Sequence, residues 1–91
     1  MTTPTFYSDA AEKALTGLTA GERAAVESVR RYIETDPDGE RARGLPDADP
    51  ESSSWAIEVL PEDTDGRGIS VIYRYHAELN AALILWLIAG P

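Results

Sequence analysis

The stretch from Gly68 to Gly90, GISVIYRYHAELNAALILWLIAG, limits this chain more than any other. Ile69, Val71, Tyr73 and Tyr75 alternate with Ser70, Ile72, Arg74 and His76, the two-residue period of a β-strand. Ala81 to Ile88 is apolar without a break. A run that short, closed by Gly90-Pro91, predicts a strand covered on both faces. Two strands and a tight connection are marginal in water, so the earlier chain has to supply more strands or helices.

Those elements can be read in order. Thr5-Phe6-Tyr7 predicts a short first strand. Ser8 is placed to cap a helix over Asp9–Thr16, with Asp9 and Glu12 complementing its dipole and Ala11, Ala14, Leu15 and Leu18 at helical spacing. Thr19-Ala-Gly-Glu22 has the form of a capping box and opens a second helix running to about Thr35, with Ala25, Val26, Val29 and Ile33 as its apolar stripe. Pro37 ends it. The short connection predicts an antiparallel helical hairpin. Glu40 to Ser54 carries two prolines in polar surroundings and reads as a loop, with Leu45 as an anchor. Trp55 to Leu60 reads as a strand, Trp55, Ile57 and Val59 on one face and Ala56, Glu58 and Leu60 on the other. Pro61 to Gly68 reads as a loose acidic loop. The expected fold is α+β: one domain over residues 1–91, an N-terminal helical hairpin packed on a mainly antiparallel sheet of three to four strands.

Charge restricts the partners. Sixteen Asp and Glu stand against eight Lys and Arg, giving −8 at neutral pH. Such a chain opposes binding to phosphate backbones and favours basic partners. There is no cysteine, which excludes disulfides, thiolate nucleophiles and Cys-ligated metals. MTTPTFYSDA lacks the cationic and apolar segments of a signal peptide, and Ala81–Ile88 is far shorter than the roughly 20 residues that span a bilayer. The expectation is a cytoplasmic protein without membrane contact and without a cofactor.

The ordered set of signals resembles the RelE/ParE toxin superfamily. The residues that carry the resemblance are SDAAEKAL with Ala11 and Leu15, Asp36-Pro37, Leu45, Trp55-Ala-Ile-Glu-Val, Gly68-Ile-Ser-Val-Ile-Tyr-Arg74 and Ile88-Ala-Gly90-Pro91. The resemblance spans nearly the whole chain. It implies a toxin fold whose RelE-type members cut mRNA on the ribosome and whose ParE-type members act on DNA gyrase, each neutralised by an antitoxin segment. It also implies where the nuclease cations should stand, and here those positions hold Ala56, Glu58, Ser70 and Pro91. No residue of this sequence stands for the catalytic Tyr or His of the family's C-terminal tail. Cleavage of RNA without a metal needs a base, an acid and cations for the phosphate. Ala56, Glu58 and Ser70 provide none of the cations.

No catalytic set therefore stands out. Arg74, His76 and Tyr75 are the candidates for a residual one, Arg74 and His76 sharing a strand face and histidine titrating near neutrality. Ser52, Ser53 and Ser54 lack the surroundings of a nucleophile elbow. The acidic loops Asp47–Glu51 and Glu62–Asp65 lack the spacing of an EF-hand, and no metal site is assigned. Arg30, Arg31, Arg41 and Arg43 are expected to pair with Glu27, Glu34 and Glu40. The sheet face carrying Ala56, Glu58, Leu60 and Ile72, ringed by Glu58, Glu62 and Asp63, is the expected partner-binding surface. The reading is a non-catalytic interaction module that binds a basic protein, an antitoxin-like segment or a second copy. Left open beside it are an active mRNA interferase or gyrase-directed toxin and a domain of this fold with no toxin connection.

Overall fold

The computed structural model describes residues 2–46 and 53–90. Eight elements follow one another: β1 (Thr5–Tyr7), α1 (Asp9–Leu15), α2 (Ala20–Thr35), β2 (Arg43–Leu45), β3 (Ser53–Val59), α3 (Pro61–Thr64), β4 (Ile69–His76) and β5 (Ala81–Ala89). They form one five-stranded sheet in the order β1-β5-β4-β3-β2. β1 runs parallel to β5, and the other neighbours are antiparallel.

Both helix starts follow from their caps. The Ser8 hydroxyl accepts from the Ala11 N–H at 3.1 Å. Thr19 and Glu22 close a reciprocal capping box, the Thr19 N–H donating to Glu22 Oε1 at 2.8 Å and the Glu22 N–H to Thr19 Oγ1 at 3.2 Å. Ala11, Leu18, Val26, Val29 and Ile33 bury against Ile57, Val59, Ile69, Val71, Tyr73, Ala82 and Ile84 from the sheet. Helices α1 and α2 thus cover one sheet face.

Four expectations change. The sheet has five strands because Arg43–Leu45, inside the expected loop, pairs with Ser54–Ala56 as an edge. The helices do not pair along their lengths as a hairpin: α1 rests mainly on β5, while α2 lies across β1, β3, β4 and β5. The expected loop after β3 begins as a short helix, held by the Thr64 hydroxyl, which lies 2.8 Å from the Arg67 carbonyl and accepts from the Gly66 N–H at 3.0 Å. Last, β5 is covered on one face only. Its partners step from Ile72↔Trp86 to Tyr73↔Ile84, so Leu85 is the extra residue of a β-bulge. Ala82, Ile84 and Leu87 pack with the core, while Leu83, Trp86 and Ile88 face away from it. The strand reads as one continuous apolar run because the residues on its open face, Leu83, Trp86 and Ile88, are themselves apolar.

Candidate functional site

Two surfaces stand out, and the first is the sheet face that carries no helix. Cross-strand pairing sets its layout. Phe6 lies beside Leu83 and Arg74 beside Leu83; Ile72 lies between Ala56 and Trp86; Ser70 lies between Glu58 and Ile88. Three large apolar side chains on the strands here are more than half exposed: Phe6 at 60%, Trp86 at 54% and Ile88 at 55%. At one end Leu60, Pro61, Gly68, Ser70, Ile88 and Gly90 border a groove of about 390 Å³. At the other, Phe6, Arg74, His76, Leu79, Leu83 and Leu85 border one of about 310 Å³.

The expected binding residues fall on this face unequally. Glu58 and Ile72 belong to it, and Leu60 lies at its end, half exposed. Ala56 belongs to it by register but is only 1% exposed, flanked by Arg43 and Ile72 as cross-strand partners. A small side chain between two long ones is simply covered. Phe6, Leu83, Trp86 and Ile88, which make most of the apolar surface, were missed, because β5 reads as buried on both sides. No sequence signal separates Leu83, Trp86 and Ile88 from the core positions of β5, since every residue from Ala81 to Ile88 is apolar.

The rim also differs from expectation. Glu62 and Asp63 lie on α3 and line a cleft against α2, not the open sheet face. Glu58 is engaged: Arg43 Nη2 lies 3.3 Å from Oε1, and the Ser70 hydroxyl donates to Oε2 at 2.7 Å. The charged residues on the fringe of the open face are Arg43, paired with Glu58, and Arg74, with His76 beside it.

The catalytic candidates do not converge. Arg74 and His76 line the same groove beside Phe6. Tyr75 points to the opposite sheet face and packs against the helix-covered core. Tyr73 is fully buried on that same side, its hydroxyl donating to the Pro37 carbonyl. Burial first, then the charges of Asp38 and Asp36 and the Tyr32 phenol, raises its phenol well above the usual range. Ser53 Oγ accepts from the Trp55 indole N–H at 2.8 Å, and Ser52, the loop Asp47–Glu51 and Pro91 lie outside the described residues. Among the described residues no group of three His, Asp or Glu side chains is placed to hold a metal ion, and no helix is long and apolar enough to cross a membrane.

The second surface is a cleft of about 840 Å³ between α2 and the α3 turn. Gly21, Ala24, Ala25 and Ser28 form its α2 wall, and Val59 and Leu60 its floor. Glu22, legible from the sequence as a cap, has a second role. Glu22 is 1% exposed and reaches beyond Thr19 to Arg67, with Arg67 Nε 3.0 Å from Oε2 and Nη2 3.2 Å from Oε1. The Arg67 guanidinium, with the Thr19 N–H, holds the Glu22 carboxyl down to about 2. The remaining arginines are used locally. Arg30 binds Glu27 at 2.6 Å and Glu34 at 3.1 Å, and also donates to the Thr5 carbonyl at 3.2 Å. Arg31 lies 3.8 Å from Glu27, Arg43 pairs with Glu58 rather than Glu40, and Arg41 lies 5.0 Å over the Tyr32 ring.

Neither a known family model nor a curated protein sequence matches the chain. A solved structure does: the archaeal RelE-RelB complex from Pyrococcus horikoshii, similar at a TM-score of 0.74 with 18% identity, over 98% of this chain and 96% of that one. At that identity the likeness establishes the fold. The chain has a RelE-like fold.

Proposed function

We propose that this RelE-like chain works as a protein-interaction module whose uncovered sheet face receives a segment of an antitoxin-like partner. The observation that carries the reading is the exposed trio Phe6, Trp86 and Ile88, contiguous with Leu83 and Ile72 on one face. Large apolar side chains grouped with a polar fringe mark surfaces that a partner covers. Each is already about half-buried, so covering the rest returns about 1–2 kcal/mol apiece, and further contacts along the face have to supply the remainder of the affinity. The similar RelE was solved bound to RelB, which makes a protein partner on this fold a natural reading.

The ribonuclease alternative rests on Arg74 and His76, with Tyr75 on the wrong face to join them. Glu58, held by Arg43 and Ser70 where a nuclease of this type needs cations, further argues against it. The test has two arms. Calorimetry against the product of the adjoining reading frame should give binding that Trp86→Asp or Ile88→Asp abolishes. An assay on translating ribosomes should give no mRNA cleavage. Codon-dependent cleavage lost in Arg74→Ala or His76→Ala would replace this reading with the nuclease one.

A further inference from the structure

The net charge of −8 is not expressed on the open sheet face, whose fringe carries Arg43, Arg74 and His76. A share of it is gathered at the α2–α3 cleft. Four carboxylates line it: Glu58, Glu62, Asp63 and Asp65. Glu58 is paired with Arg43, but Glu62, Asp63 and Asp65 form no ion pair with any described residue. Among the described residues Arg41 is the one cation that lines it, and it stacks on Tyr32. Asp65 sits at φ 56°, a left-handed position that terminates α3 and that Asp tolerates well.

The opposite wall has a complementary shape. Gly21, Ala24, Ala25 and Ser28 are spaced by three, one and three residues, so they form a single face of α2. Gly21 already takes the Thr64 carbonyl of α3 against its backbone, but the side chains of Ala24, Ala25 and Ser28 have no more than two heavy atoms, so another backbone can approach α2 closely beside them. Val59 and Leu60 give the groove an apolar floor. A groove with an apolar floor, one wall of small residues and one acidic lip fits an amphipathic helix placing short aliphatic side chains inward and Lys or Arg along the lip.

We propose that the α2–α3 cleft docks a basic amphipathic helix of a protein partner. A second copy of this chain, at −8, and nucleic acid are both opposed by the same charges. The inference rests on the interaction-module reading and adds a second contact to it, with the apolar contact on the sheet face and the cationic one at the cleft. Leu60 borders both the cleft and the groove beside Ile88, so one partner chain can pass from one to the other.

The test uses a synthetic helical peptide of Lys, Ala and Leu, a counterpart with Glu for every Lys, and the full-length ¹⁵N-labelled protein. The Lys peptide should move the amides of Ala24, Ser28, Leu60 and Asp65 and bind less tightly as salt is raised. The Glu62→Gln/Asp65→Asn double variant, which keeps side-chain shape and the left-handed turn, should bind about fivefold more weakly. Ser28→Trp, at an exposed helix position, should fill the groove and abolish binding. Trp86→Asp should leave peptide binding unchanged, so failure of the sheet-face reading and failure of this one are separable. The inference is overturned by absent shifts, by shifts confined to Leu83, Trp86 and Ile88, by equal binding of the Glu peptide, or by full affinity in the double variant.

Discussion

Tyr73→Phe isolates one buried hydrogen bond that ties the sheet to the end of α2. The Tyr73 ring is fully buried in the middle of β4, and its hydroxyl donates to the Pro37 carbonyl just beyond α2. Phenylalanine keeps the ring and creates no cavity, so only the bond is lost. A carbonyl left without its donor costs about 1–3 kcal/mol. Pro37 is half-buried, so water can reach part of the vacated site, and the low end, about 1 kcal/mol, applies. In a domain of this size that lowers Tm by about 4–8 °C. Tyr73→Ala also removes the ring and should cost about 3–5 kcal/mol. Against about 5–14 kcal/mol of total stability for 91 residues, Tyr73→Phe leaves a folded protein and Tyr73→Ala a marginal one. Thermal and urea unfolding followed by circular dichroism measures both. Equal losses in the two variants, or no loss in Tyr73→Phe, would refute the assignment of the bond as a separable contribution.

Acid titration reads the Glu22–Arg67 pair. The folded carboxyl is held to about 2 against an ordinary value of 4.5, so its contribution is complete above pH 4.5 and is lost as pH falls toward 2. Glu22→Gln, which can still cap α2, should flatten the stability-pH curve in that window, as urea midpoints at successive pH values would show. Gly21→Ala should destabilise despite a helix-propensity gain of up to about 1 kcal/mol, because the new Cβ would stand 2.6 Å from the Thr64 carbonyl. Hydrogen exchange should then quicken in Pro61–Thr64, and unchanged exchange would count against the close packing of α3 on α2.

Much of the fold was legible because its signals are local. The two caps, Ser8 and Thr19, and the stop at Pro37 act within a few residues, and α2 begins and ends where they place it. The alternation from Ile69 to His76 likewise gave β4 its faces. What was not legible depends on distant partners. Arg43–Leu45 has no strand pattern of its own and becomes β2 only by pairing with β3. The two faces of β5 are both apolar, so its exposed Trp86 and Ile88 look like core positions until β4 and the helices show which face is covered. Glu22 was read as a cap, but its second role needs Arg67, which lies 45 residues away. Glu62 and Asp63 were expected on the rim of the sheet face because Pro61–Gly68 reads as a loose loop at the end of β3, whereas α3 turns the chain there toward α2.

The central claim is that the open sheet face is bare in the isolated chain and covered in complex. The protein has two tryptophans, and Trp55 packs against the core, so Trp55→Phe leaves Trp86 as the sole indole reporter of that face. With Trp86 54% exposed, its emission in the isolated protein should be that of a water-exposed indole and strongly quenched by iodide. Adding the purified product of the adjoining reading frame should move the emission to the blue and protect it from quenching. Formation of that complex with Trp86 still red-emitting and fully quenched would contradict the account.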